Sequence, residues 1–316
     1  MLSIWPKDEK LKQFLNRLLR KIRRLKLDSS LADVDAAGIV KLLKFGKQKA
    51  KIYLPNEDTG LSKQLHFSSF REWRSTEYFI DLLTNKNYDH IIDLGANLGY
   101  FVLIESLFSK AKIIAIEPVK FNFDILKINL SLNHLDEIDA RNVAVGRTNT
   151  TVTIYEFGQK NWSTVNPEHA NLLKSKGYKA NEQRVEQITL DNLLSEFPDK
   201  HRTGLIRMDV EGFELEIITA SSLLKSFNYD LFIEFHSNIL GKTKSLELLN
   251  HLKKCGYTHS VIVFNEEFSK AEQILDYENH LRVQNLSLDD LINYFDIVSD
   301  QFLRDNCGFE LFLNKL

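Results

Sequence analysis

DHIIDLGANLGYF, residues 89–101, decides how this chain folds. An apolar run ends in an acid, Asp93, and a turn punctuated by Gly95 and Gly99 follows at once. The segment after it is apolar enough for a helix packed on a core. Strand, turn and helix in that order predict the first unit of a parallel sheet.

The rest of the chain repeats the unit. Strands are predicted at 90–94, 112–117, 138–145, 204–210, 229–236, 259–265 and 309–316, with an added strand at 151–157 and another at 184–188. Helices are predicted at 98–109, 119–133, 189–197 (capped by Thr189 or Asp191), 212–226, 242–255 and 287–296. Strands alternating with helices imply an α/β, doubly wound, mostly parallel sheet. The strands at 259–265 and 309–314 are expected to pair as an antiparallel edge.

In such a sheet ligands sit beyond the carboxyl ends of the strands, and the first turn is the usual seat. A phosphate loop needs Lys-Ser or Lys-Thr after its last glycine, and Gly99 is followed by Tyr100. A dinucleotide fingerprint needs a middle glycine, where Asn97 stands, and a third one, where Val102 stands. S-adenosylmethionine fits better because it carries no phosphate. Gly95 and Gly99 let the backbone bend beneath its methionine end. Amides of the turn, Ala96 included, meet its carboxylate, and Asp93 accepts from its ammonium directly or through water. Asn97 orients the turn.

The second strand ends in Glu117-Pro118, with Glu117 22 residues after Gly95. A carboxylate there can accept both ribose hydroxyls. Asn142 and Ala144, in RNVAVG (141–146), fall where the adenine would lie. The fourth strand and the turn after it read LIRMDVEGFELEII (205–218) and place Asp209 where the methyl group should emerge, with Glu211 beside it for substrate. The fifth strand ends IEFH (233–236), so Glu234 and His236 share one face. Asp209 or His236, the latter oriented by Glu234, is the expected general base. These three side chains also offer donors to a divalent cation, but no metal is expected.

Composition bounds the remainder. The 316 residues are 43% hydrophobic and 27% charged, as in an ordinary globular chain. Cys255 and Cys307 have no near partner in sequence, which suits a reducing compartment. No apolar run reaches the length of a membrane span, and no signal peptide is evident, so a cytoplasmic location is expected. Residues 1–30 carry nine Lys or Arg against three acids, and the rest carries 32 against 40. A basic arm on an acidic body does not describe a nucleic-acid binder. Leu11, Phe14, Leu15, Leu18, Leu19, Ile22 and Leu25 form one apolar stripe, flanked by basic residues within 7–27. Such a helix packs on its own domain, packs on a second copy as a homo-oligomer, or lies on the inner face of an anionic membrane. Residues 50–70 are read as a short β-hairpin around PNEDTG (55–60), and 73–85 as a helix capped by Ser75. The division is therefore an N-terminal extension, 1–72, and a catalytic domain, 73–316. The polar segment 158–183 is taken as a lid or acceptor insert, with Trp162 and Tyr178 offered to a sugar face.

IIDLGANLGYF, AIEP, RNVAVG and IRMDVEGFE, in that order, resemble the FkbM family of S-adenosylmethionine-dependent methyltransferases. The likeness covers residues 75–265, with 309–314 as the closing strand. It implies the class I methyltransferase fold, a Rossmann-like sheet of seven strands with an antiparallel edge. It also implies O-methylation, often of a sugar hydroxyl in a glycan, glycolipid or glycosylated metabolite. By that match Asp93, Gly95, Asn97 and Gly99 line the methionine end, Glu117 holds the ribose, and Asp209 and Glu211 face the reaction. Arg207 departs from the pattern, standing where a lysine is expected. No NPPY-type tetrad follows the fourth strand, which argues against an amino acceptor. A non-catalytic module docking through the basic helix, and a nicotinamide oxidoreductase, are the rival readings.

Overall fold

The computed structural model describes residues 32–33, 38–56, 58, 60–68, 70–157, 163–165, 167–197, 199, 202–263, 283–306 and 308–315. The basic stripe at 7–27, Trp162 and Cys307 lie outside them.

The central sheet has eight strands: β1 (His90–Leu94), β2 (Lys112–Ile116), β3 (Asp139–Arg141), β4 (Thr203–Met208), β5 (Asn228–Phe235), β6 (Tyr257–Val263), β7 (Val283–Ser287) and β8 (Phe309–Lys315). Their order is β3-β2-β1-β4-β5-β8-β6-β7. Pairing is parallel from β3 through β5, and β8 runs antiparallel to both β5 and β6. This is the doubly wound class I methyltransferase sheet, with one strand more than expected. The antiparallel β8 is inserted between β5 and β6, and the edge is β7, hydrogen-bonded antiparallel to β6. The winding reverses between β1 and β4, which places the crevice at the carboxyl end of β1.

Adjacent residues in each strand feed opposite faces, as the pleat requires. Ile92, Ile114, Ile206 and Ile233 enter one core with the helices at Leu190–Ser195, Glu214–Ala220, Ser237–Lys254 and Leu288–Ile297. Ile91, Ile113, Leu205 and Phe232 enter the other, with the helices at Trp73–Asn85, Tyr100–Phe108 and Lys120–Leu132. Each fully buried Leu, Ile or Phe contributes about 1.5–3 kcal/mol, so the two faces dominate stability.

That second core also contains Val40, Leu43, Ile52 and Leu54, so the extension and the domain share a core across residue 72. The hairpin is Gly38–Phe45 with Gln48–Pro55, turning at Gly46, earlier than expected. The segment after PNEDTG is instead a helix, Leu61–Phe67, because Leu61, Ser62 and Leu65 are buried at helical spacing and Asp58 accepts from the Gly60 and Ser62 amides. Asn129 and Asn133 of Lys120–Leu132 and its cap reach across to the hairpin and accept from the Tyr53 and Lys51 amides at 2.6 and 2.8 Å. The helix Trp73–Asn85 starts two residues before Ser75, which is buried within it; the residue ahead of it, Glu72, is left-handed (φ 43°).

The strand expected over 138–145 breaks at Asn142. Its first half is β3, and Ala144–Gly146 joins a second sheet with Thr150–Phe157, Ser163–Thr164 and Ala180–Thr189. Most of the segment expected to be a lid is therefore structured, with a helix at Pro167–Ser175. Among the described residues no helix is long and apolar enough to cross a membrane.

Candidate active site

A cavity opens at the carboxyl ends of β1, β2 and β4. Its floor is the expected turn. The Gly95 and Ala96 amides both donate to the Ile116 carbonyl at 2.9 Å, which folds the turn over the end of β2. Gly95 (φ 87°) is obligatory: a Cβ there would stand 1.8 Å from the Asp209 carbonyl oxygen. Asn97 is left-handed as well (φ 51°), a conformation asparagine tolerates better than most residues.

Glu117 organises the turn. Its Oε2 accepts the Asn97 amide and its Oε1 accepts the Val119 amide, both at 2.8 Å. A carboxylate has about four lone-pair sites, so acceptor capacity remains for a diol in the cavity. Burial pushes this carboxyl up to about 8, against the pull of those amides and of Asn122. Asn142 does not line the cavity; its amide donates to the Glu117 and Pro118 carbonyls at 2.9 Å and fixes the strand end. Pro118, Asn122, Ala144, Val145, Ile154 and Ser163–Val165 complete that wall. The wall is apolar where a base would stack and acidic where a ribose would sit, so the residues fit a nucleoside donor without phosphate.

Asp93 is placed differently from the expectation. It is fully buried behind the turn, outside the cavity lining. Arg207 lies beside it in the β1–β4 register and donates from Nη1 at 2.9 Å, while Nη2 lies 3.4 Å from Asp209. The guanidinium also stacks 3.9 Å from the Phe101 ring centroid. A lysine could supply neither the fork nor the plane, which accounts for the departure at this position. Ala96 and Gly99 likewise lie outside the lining.

At the reaction end Asp209 and Glu211 both face the cavity. Burial alone would raise Asp209, but Arg207 and Arg71 hold it below the usual carboxylate range. Burial, with Asp209 and Glu214 nearby, lifts Glu211 to about 7. His236 is buried, and Glu214 rather than Glu234 takes its Nδ1, at 2.6 Å. Its Nε2 lies 3.5 Å from Glu234 and 3.6 Å from Glu211. Burial would lower this imidazole, yet Glu214, Glu234 and Glu211 drive it well above its ordinary value. A ring held as a cation has no lone pair for a proton, so His236 does not suit the role of base.

Arg71 was not singled out by motif. It lines the cavity from just before the helix Trp73–Asn85, with its guanidinium 2.7 Å from Glu72 and 3.8 Å from Asp209. Glu214 and Phe213 were missed as site residues because acids and aromatics at a helix start are commonplace. Tyr178 is 46% exposed and outside the lining, so the structure does not bring it to the site.

The chain is similar in sequence to known methyltransferases. Residues 93–258, just over half the chain, match the profile described as the methyltransferase FkbM domain. Methyltransferase sdnD of Sordaria araneosa is 30% identical over 166 residues, which is 45% of this chain and 64% of that protein. Methyltransferase 1 of Beauveria bassiana is 26% identical over 167 residues, 46% of this chain and 66% of that protein. The chain thus spans just under two thirds of each of these relatives. Among solved structures, an S-adenosylmethionine-dependent O-methyltransferase of Thermotoga maritima aligns over 91% of this chain and 85% of its own, at 10% identity and a TM-score of 0.39, too low to carry weight. The chain belongs to the FkbM methyltransferase family, whose cofactor is S-adenosylmethionine.

Proposed function

We propose that this protein is an O-methyltransferase that acts on a hydroxyl of a sugar, in a glycan, glycolipid or glycosylated metabolite. The observation that carries the oxygen acceptor is Glu211, a cavity-lining carboxyl lifted to about 7. A general base works best with a value near the operating pH. When bound, S-adenosylmethionine supplies an electrophilic methyl carbon. Glu117 would hold the nucleoside end, and Gly95 and Asn97, which line the cavity, would seat the methionine end. Asp209 stays ionised on the cavity wall and would offer its charge to the sulfonium. Glu211 takes the proton of the attacking hydroxyl, and the cationic His236 between Glu211 and Glu234 keeps both carboxylates oriented. Orientation is the larger share of the work, because well-aligned reactants gain about 7–11 kcal/mol over free encounter.

The sugar rests on the family likeness. Incubating the protein and labelled donor with a panel of glycans, amines and carboxylic acids tests the reading. Label transferred to a glycan hydroxyl supports it. Label carried only by amines or carboxylates removes the oxygen-base assignment.

A further inference from the structure

Beside Asp209, three carboxylates from three separate elements converge: Glu72 ahead of the helix Trp73–Asn85, Glu234 on β5 and Glu310 on β8. Each offers an oxygen, and these oxygens lie within 4.8 Å of one another. Glu234 and Glu310 are direct cross-strand partners in the antiparallel β5–β8 pair. Like charges directly opposite one another destabilise a sheet.

The surrounding cations reach only part of this set: Arg71 pairs with Glu72, and His236 Nε2 lies 3.5 Å from Glu234. Arg71 Nε gives its bond to Glu72 Oε1. Arg207 gives its fork to Asp93 and Asp209, and His236 Nδ1 is taken by Glu214. Glu310 is 1% exposed, and its Oε1 has no hydrogen-bond partner. The buried Oε2 atoms of Glu72 and Glu234 have none either. Leaving a buried carboxylate uncompensated costs several kcal/mol. Glu72 also holds a left-handed backbone (φ 43°, ψ 62°), which a glutamate adopts only when its surroundings impose it. A conformation costly in itself brings a third acid to a place already crowded with two.

We propose that Glu72, Glu234 and Glu310 form a binding site for an oxygen-preferring divalent cation, Mg²⁺ or Mn²⁺. The donor set is all carboxylate, which suits hard cations and not zinc or copper. Glu234 also belongs to a second close set with Asp209 and His236, so the cation would lie next to the acid that faces the cavity. The site goes beyond the methyl-transfer reading and stands without it, because it can be measured with the metal alone.

The full-length protein, stripped with chelator and dialysed, is titrated with Mn²⁺ while free Mn²⁺ is followed by electron paramagnetic resonance. The expected result is saturable uptake at one ion per chain, competed by Mg²⁺. Glu310→Gln and Glu234→Gln should weaken it by about 100-fold or more. Glu247→Gln, on the exposed face of its helix, should bind as the parent does. Mn²⁺ should raise the melting temperature of the parent and not that of Glu310→Gln. Should Glu310→Gln fail to fold, Glu72→Gln at the open side carries the same expectation. A parent protein that leaves the Mn²⁺ signal undiminished, or glutamine variants that bind and respond as the parent does, would overturn the proposal.

Discussion

Arg207 and Asp93 sit side by side on neighbouring parallel strands, 2.9 Å apart and both shut off from water. Removing one partner of such a pair strands the other, at a cost of about 3–5 kcal/mol. Arg207→Met should therefore lose roughly that much in denaturant unfolding. Arg207→Lys should fall between the two, because it keeps the charge and loses the fork and the Phe101 stack. The double change Arg207→Met with Asp93→Leu should cost less than the sum of the single changes, since neither charge is then left alone. Equal losses for the double change and the summed singles would show that the pair does not interact.

The two glycines of the cofactor turn should differ in tolerance. Both have positive φ, 87° at Gly95 and 91° at Gly99. A Cβ at Gly95 meets the backbone of Asp209, which cannot retreat without moving β4. At Gly99 it meets the Leu126 Cδ1 at 2.6 Å, the end of a side chain that can rotate. Gly99→Ala should cost about 1–3 kcal/mol and keep donor affinity. Gly95→Ala should abolish donor binding in calorimetry even where the protein remains folded by circular dichroism. Matching donor affinities for the two variants would refute this ranking.

Stability without ligand should fall as pH rises from about 5 to 8. Glu117 and Glu310 are raised by burial from the usual 4.5 to about 8, and Glu211 to about 7. Glu105 and Glu234 are raised too, again first by burial. Between the unfolded and folded values, the folded chain holds protons that the unfolded chain has released. The number bound is then greater in the native state, so the slope of unfolding free energy with pH is negative. His236 acts in the same direction: its raised value stabilises the fold below 6.5, and that gain is lost as pH climbs through the folded value. Asp209 is lowered and contributes the opposite slope, but only as pH drops below its ordinary 3.8. Urea midpoints in chelator at pH 5, 6, 7 and 8 measure the trend, and Glu310→Gln should flatten it. A midpoint that rises across this window contradicts the assignment.

How much of this was legible in the sequence varies with how local each cause is. The β1 turn, Glu117 and Asp209 could be read because strand, acid and glycine lie within a few residues, and the sheet topology then carries them to one place. Asp93 read as a ligand contact because an acid at a strand end usually faces the crevice; only the parallel register with β4 shows Arg207 beside it. The insertion of β8 depends on pairing between residues 74 to 82 positions apart, Leu231–Phe235 with Phe309–Leu313, which periodicity does not encode. Glu310 did leave a signal, an acid in the middle of the apolar FELFL (309–313). Arg71 and Glu214 left none, since both look like ordinary charges at helix starts. PNEDTG is a stronger turn signal than FGKQ (45–48), so the hairpin reads one strand late in the sequence, while Asp58 uses that stretch to hold the start of a helix.

Glu211 gives the sharpest test of the reaction. If it accepts the hydroxyl proton, it must be deprotonated to act, so the rate should climb with pH through about 7 and level off above. Glu211→Gln should lower kcat by about 10²–10⁴ and remove that limb, with donor affinity little changed. Glu214→Gln should act indirectly. It withdraws an anion that raises Glu211, while Glu234 and Glu211 still hold His236 as a cation, so the limb should move to lower pH while kcat at its plateau stays within about tenfold. A profile that keeps its limb near 7 in Glu211→Gln assigns the base to another group, and Asp209 is then the carboxylate left on the cavity wall.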